Sequence, residues 1–216
     1  MHVLTIPSWY FPADSSNIGG RNFHCLARDL RVEGIDARIY YGHYSISAPI
    51  IKKSSYTLED GVPTCRVSHW YPPKVNALLL VAWVNKYIRG LQDYIRQQGP
   101  PDLIHAHSYL ASFVASAIKK KMGIPYVYTE HLSGFLLDSI PGLHQKFILQ
   151  NIKEADIITC VSPGLKSKLQ TFTTSYIHVV PNYYDPKIFY ADPQVRKNEK
   201  FTWVTIGEPM YTRDWI

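Results

Sequence analysis

The sequence predicts a three-layer α/β domain built on a mainly parallel sheet. Short apolar runs recur along the chain and bracket segments of helical periodicity, which is the mark of buried β-α-β units. The clearest unit is PPDLIHAHSYLASFVASAIKKKMGIPYVYTEHLSGF, from Pro101 to Phe135, and the rest of the chain is organised around it. Asp102–His105 and Tyr126–Thr129 read as strands on either side of a helix from about Tyr109 to Met122. Each strand runs into a polar loop: His105, His107 and Ser108 after the first, Glu130, His131 and Ser133 after the second. Loops at the carboxyl ends of parallel strands share one rim, where ligands bind in open α/β sheets.

The elements follow in order. His2–Ile6 is an apolar strand closed by Pro7, and a long loop then leads to Gly19-Gly20. A helix is predicted over Arg21–Val32, with Phe23, Leu26, Ala27 and Leu30 on one face. Gly34 stops it and Ile35–Tyr40 is the next strand. Gly42–Asp60 is polar and reads as excursion loops with a short strand at Pro49–Lys53. Thr64–Trp70 reads as a strand ended by Tyr71-Pro72-Pro73. From Val75 to Gln98 the pattern is helical, with Leu78, Val81 or Ala82, Val84, Ile88, Leu91 and Ile95 expected inward. Beyond the central unit come a helix at Leu143–Glu154, a strand at Ile157–Val161, a helix opened by Pro163, and a strand at Tyr176–Val180. The domain is expected to span residues 1–190, with a polar linker at 191–200. A new strand at Phe201–Ile206 would open a second domain over 201–216, cut off as a fragment or a natural truncation.

Composition narrows the class. The 216 residues are 46% hydrophobic and 19% charged, as in an ordinary globular protein with a real core. A net charge of +6 favours anionic partners such as phosphates, sugar nucleotides or an anionic membrane face, against the plain alternative of a solvated basic surface. Nucleic-acid binding has only that charge behind it, with no motif and no basic stripe. The three cysteines are far apart, which supports neither a disulfide framework nor a zinc knuckle, and a reducing compartment is expected. The longest apolar run, Ala77–Val84, is far too short to span a bilayer. A helix packed in the core is the expected reading of that segment; its basic residues and Trp83 leave peripheral association with anionic lipid open.

Chemistry-bearing residues allow several readings. Gly19-Gly20 before a helix lets backbone approach a ligand while the first-turn amides favour an anion, or it is a simple turn. It lacks the spacing of a dinucleotide fingerprint or of a P-loop, which argues against a dinucleotide-dependent oxidoreductase. A metal hydrolase using His105, His107, Glu130 and His131 is a rival, although these residues have no known metal-ligand spacing. For His105 a buried, hydrogen-bonded structural role is expected.

The N-terminal strand with its GG loop, DLIHAH, YVYTEH, ADIITCVSPGLKSKL and VVPNYYDPKIF occur in one order. Together they resemble the N-terminal half of family 4 glycosyltransferases, retaining enzymes of the GT-B fold. FTWVTIGEPMYTRDWI resembles the opening of that family's C-terminal domain. The resemblance implies a Rossmann-like domain that transfers a sugar from a nucleoside-diphosphate donor to an acceptor hydroxyl with retention, without metal or other cofactor. It implies that Gly19 and Gly20 lie near the donor phosphates and acceptor, and that His107 sits beside the transferred sugar. His131 and Ser162 match polar rim residues, Glu130 is expected to line the same cleft, and Asn182 matches a structural turn. Where the family commonly carries Arg after the second domain's first Gly, this chain has Glu208; Arg213 fills the slot of a diphosphate partner. The carboxylate-bearing EX7E segment of the second domain is absent, so these residues alone are expected to be inactive. The implied partners are the donor, a glycan or lipid-linked acceptor and the missing domain; the implied setting is cell-surface polysaccharide or glycolipid synthesis in the cytoplasm, peripheral on the inner membrane face. The reading from another class is a non-catalytic acceptor- or lipid-docking module that pairs with a separate donor-binding chain.

Overall fold

A computed structural model describes residues 1–11, 19–73, 77–135, 142–182, 184, 190, 193–194 and 200. Contacts divide the chain into a unit over Met1–Tyr183 and a second over Tyr184–Ile216. The expected strand at Phe201–Ile206, with Glu208 and Arg213, lies outside the described residues.

Among the described residues the first unit carries eight strands in one sheet. They are β1 (His2–Pro7), β2 (Asp36–Ser45), β3 (Lys53–Glu59), β4 (Val62–Trp70), β5 (Leu103–His107), β6 (Tyr126–Glu130), β7 (Ile157–Cys160) and β8 (Ile177–Val179). Five helices alternate with them: α1 (Arg21–Val32), α2 (Ala77–Gln98), α3 (Ser108–Met122), α4 (Gly142–Glu154) and α5 (Pro163–Gln170). The spatial order is β3-β4-β2-β1-β5-β6-β7-β8, and every pair is parallel except β3 with β4. The chain winds outward from β1 to β4, then crosses through α2 to start β5 on the other side of β1. The winding therefore reverses between β1 and β5, where the loops diverge and open a crevice.

Side-chain alternation sorts the core into two layers. Leu4, Ile6, Tyr40, Ile104, Tyr126, Tyr128 and Ile158 point to the face covered by α2 to α5 and form the large core. Ala37, Ile39 and Val62 point the other way, onto Ala27 of α1. The two sheet faces thus bury different apolar sets, and a one-residue slip of any central strand would exchange them.

Three expectations need correcting. The polar stretch after Gly42 is a longer β2 and an antiparallel hairpin, not excursion loops with a strand at Pro49–Lys53. It turns on Asp60-Gly61, both at positive φ (43° and 79°). On α2, Leu78 and Val81 point outward at 78% and 44% exposure. Ile88, Leu91 and Ile95 are buried as expected, and Leu80, Trp83, Tyr87 and Tyr94 join them, because the Tyr87 and Tyr94 rings pack against Tyr40 and Tyr44 of β2 and Trp83 packs on Tyr87. Trp83 is therefore a core ring, its Nε1–H directed at the Tyr44 carbonyl at 3.4 Å. Finally, β5 and β6 each run further than expected, so His107 and Glu130 are strand residues.

Candidate functional site

α1 starts at the crevice. Gly20 precedes it at φ +81°, and a Cβ there would lie 2.8 Å from the Trp9 carbonyl oxygen and 3.0 Å from Tyr10 Cα. Only glycine lets the loop after β1 cross the helix start this closely. The loop is also clasped to β5: the Ser8 hydroxyl donates to the His107 carbonyl (2.7 Å) and accepts from the Ala111 amide (3.0 Å). Trp9 then packs edge-on against Phe23 of α1, with centroids 5.4 Å apart.

His105 and His107 sit two residues apart on β5 and share the sheet face that carries Val127 and Thr129 of β6 and Thr159 of β7. The His107 ring lies between Phe23 (4.4 Å, 28°) and His105 (4.0 Å, 37°). Its Nδ1 is 2.9 Å from Nε2 of His131, whose Nδ1 is 3.1 Å from Oδ1 of Asn182. With the Asn182 amide turned to offer Oδ1, one arrangement of protons satisfies the whole row. Asn182 Oδ1 accepts from His131 Nδ1–H, so His131 Nε2 bears the lone pair and accepts from His107 Nδ1–H. His107 Nε2 is left as an acceptor, and this buried atom has no partner among the described residues. A second row runs below it, from His105 Nε2 to Thr129 Oγ1 (2.7 Å) and on to Thr159 Oγ1 (2.5 Å).

A cavity of ≈260 Å³ opens onto these groups. Its wall comprises Asn22, Phe23 and Leu26 of α1, the two β5 histidines, His131, the β6 and β7 residues named above, and Val161, Val180, Pro181 and Asn182. Among these residues there is no Lys, Arg, Asp or Glu. The histidines add no charge at neutral pH. Burial pushes His105 and His131 down to about 4, the former with help from the neighbouring His131, the latter partly opposed by its bond to Asn182. Burial, with His105 and His131 close by, holds His107 well below the usual imidazole range. A neutral, half-apolar hollow rimmed by imidazole and hydroxyl groups suits ligand hydroxyls better than a diphosphate.

The structure brings Gly20, His107 and His131 together around α1's start and the crevice, with Gly19 in the turn before the helix. It separates the others. Glu130 follows the alternation of β6 onto the opposite face, beside Tyr128, and is fully buried. Its Oε1 accepts the amides of His131 (2.7 Å) and Leu132 (2.8 Å), and its other oxygen accepts the Tyr128 hydroxyl. Burial raises its pKa above the ordinary carboxyl value, against the pull of those donors. Glu130 therefore shapes the His131 turn from behind rather than lining the cleft. Ser162 caps α5, its Oγ accepting from the Leu165 amide at 3.2 Å. Asn182, expected to be structural, contacts the site directly through His131. Among the described residues no group of three His, Cys, Asp or Glu side chains is placed to share a metal ion.

Residues 19–188 match the sequence pattern of Glycosyltransferase Family 4. The chain belongs to that family. Family 4 membership accounts for the order of the rim motifs, and the fold agrees. The structure superposes on sucrose-phosphate synthase from Thermosynechococcus elongatus with a TM-score of 0.67 at 14% identity, over 88% of this chain and 50% of that one. It superposes on the catalytic domain of starch synthase IV from Arabidopsis thaliana with a TM-score of 0.57 at 16% identity, over 86% and 52%. The domain is the Rossmann-like N-terminal half of a GT-B family 4 fold. In sequence it is 23% identical to one subunit of the phosphatidylinositol N-acetylglucosaminyltransferase of Homo sapiens, over 90% of this chain and 45% of that protein. It is 26% identical to the D-inositol 3-phosphate glycosyltransferase of Frankia alni, over 54% and 29%. The chain thus spans less than half the length of the curated relatives it matches.

Proposed function

We propose that this chain is the acceptor-side half of a retaining glycosyltransferase that moves a sugar from a nucleoside-diphosphate donor to an acceptor hydroxyl. The observation that carries the reading is His107 Nε2, a buried acceptor without a partner among the described residues, on the wall of a cavity whose described lining is uncharged. Leaving such an atom unpaired costs about 1–3 kcal/mol, which a sugar hydroxyl donating to it would recover. His107 would orient the transferred sugar while neutral, through the tautomer set by His131 and Asn182. The growing charge on the leaving diphosphate needs donors the cavity lacks. The α1 amides after Gly19-Gly20 are candidates, with Arg213 and the rest of a second domain beginning near residue 201 supplying others. Family membership and the two relatives named for phosphatidylinositol and inositol 3-phosphate support an acceptor with several hydroxyls, on a glycan or a lipid headgroup.

The test pairs the chain, in trans or as a fusion, with a family 4 donor-binding domain and measures nucleoside-diphosphate release from nucleoside-diphosphate hexoses. Turnover is expected only with both halves present, and Asn182→Ala should reduce it at unchanged fold. Acceptor binding without turnover in any pairing would overturn the enzymatic reading in favour of a docking module.

A further inference from the structure

We infer that the free edge of β3 is a self-association surface, and that a second copy of this chain pairs with it antiparallel across a two-fold axis. β3 ends the sheet: among the described residues it pairs with β4 on one side and with no strand on the other. Six of its seven residues are exposed, Tyr56 at 44% and Leu58 at 71%. Such an edge presents a row of unpaired N–H and C=O groups, which sheets ordinarily blunt with a proline, a bulge or a mid-strand charge. β3 has none of these. Its register with β4 is unbroken from Lys53 to Glu59, and the five residues between those two are uncharged and free of proline. The strand is also held in place at both ends. Glu59 accepts Arg66 Nε (2.8 Å) and Nη2 (2.7 Å), and Lys52 Nζ, just before the strand, donates to Asp93 of α2 (3.1 Å). A fixed edge has little ordering left to lose when it pairs.

The order of side chains identifies the occupant. KSSYTLE, residues 53–59, complements its own reverse. Turned about an axis through Tyr56 and normal to the sheet, Lys53 faces Glu59 of the second copy, Ser54 faces Leu58, Ser55 faces Thr57, and Tyr56 faces its equivalent. Opposite charges meet at both ends, two hydroxyls meet at Ser55 and Thr57, and the exposed Tyr56 ring gains an aromatic neighbour, all favourable cross-strand pairs. Glu59 keeps Arg66 and gains a second cation. Other pairings lose these contacts. A parallel arrangement sets Lys53 on Lys53 and Glu59 on Glu59, a shift of two residues parts the opposite charges, and a shift of one sets side chains of opposite faces against each other. The contact is isologous and consumes the edge of both copies, so association stops at two. The other edge of the sheet, β8, has only three residues. β4 and β2 separate the paired edge from the crevice between β1 and β5, so the histidine cavity stays open and the inference does not depend on the proposed function.

The experiment is sedimentation equilibrium of the full chain across a concentration series. One strand pair is a small interface, so a monomer–dimer equilibrium with a dissociation constant on the order of 10 µM is expected. Tyr56→Lys sets two ammonium groups against each other on the axis and should weaken the dimer about tenfold or more, with a nearly unchanged melting temperature because the site is on the surface. A second measurement reads the register and does not depend on that variant. Opposed Cα atoms of an antiparallel pair lie within disulfide reach. An oxidised mixture of Ser55→Cys and Thr57→Cys chains should therefore give a covalent dimer well above that of either variant alone. The wild type serves as the control for Cys25, since Cys65 and Cys160 are buried. A wild type that stays monomeric up to about 1 mM, a Tyr56→Lys variant that associates as the wild type does, or a mixture that cross-links no better than its components would overturn the inference.

Discussion

His107 donates its Nδ1 proton to Nε2 of His131 across 2.9 Å, so the tautomer of the inner ring is dictated by the outer one. The outer ring in turn takes its orientation from Asn182, 51 positions further along the chain. Replacing His107 itself would confound function with folding, because its ring is stacked between Phe23 and His105. Asn182 is exposed and offers the cleaner probe. Asn182→Ala should leave the melting temperature nearly unchanged while redistributing the tautomers of both imidazoles. Long-range proton–nitrogen NMR correlations would read this directly. In the paired enzyme, transfer should fall about tenfold or more. Unaltered ring-nitrogen shifts in the variant would show that Asn182 does not set the tautomer.

The buried imidazoles make stability depend on pH. His105 and His131 have folded-state values of about 4 against the ordinary 6.5, and His107 shifts the same way. The unfolded chain therefore binds more protons than the folded one across that window. Stability should decline as pH falls from 6.5 towards 4, by about 1.4 kcal/mol per pH unit for each fully shifted site, and below that the paired carboxylates Asp36, Glu59, Glu154 and Asp156, all held below their ordinary values, carry the decline further. The three rings titrate as a coupled group, so the slope belongs to the trio. Glu130, raised by burial, opposes it: its contribution is present below the ordinary carboxyl value and is lost as pH rises. Thermal melts of wild type and His131→Gln should show the steeper acid decline in the wild type.

Glu130 is predicted to matter for the fold. Glu130→Ala strands two amides and the Tyr128 hydroxyl in the interior, a loss of about 3 kcal/mol or more. Glu130→Gln keeps Oε1 for the amides and offers an N–H to the Tyr128 oxygen, so urea melts should place it much closer to wild type. Equal losses for the two variants would refute this assignment.

Two glycines at the same φ of +81° separate crowding from conformation. Gly34 has open space where a Cβ would go, so Gly34→Ala should cost about 1 kcal/mol for the left-handed backbone alone. Gly20→Ala adds a collision with the Trp9 carbonyl and should cost about 3 kcal/mol, measured by the same melts.

Much of the frame was legible because parallel strands buried on both faces read as apolar runs, and amphipathic helices as 3.6-residue stripes. The bounds of α1 agree residue for residue with the periodicity of Phe23, Ala27 and Leu30. β3 was missed because six of its seven residues are exposed, leaving no burial to imprint an alternation. The Asp60-Gly61 pair, a strong hairpin signal, was there to find. Histidines and Glu at strand ends looked like loop residues, because polar side chains inside a sheet are rare and their extended backbone leaves no trace in composition. The outward turn of Leu78 and Val81 was hidden for another reason: aromatic rings further along α2 won the core face, a competition decided by packing shape. Asn182 reads in sequence only as a turn residue, since its partner His131 is met only through folding.

The Ser8 clasp joins the first strand's exit to the corner that carries His107. A ligand pressing on that imidazole therefore pushes on Trp9 as well, and the two sides of the crevice yield together or not at all. Such a mouth behaves as an anvil: it holds its shape under load, and the movements that accompany turnover fall to whatever closes upon it.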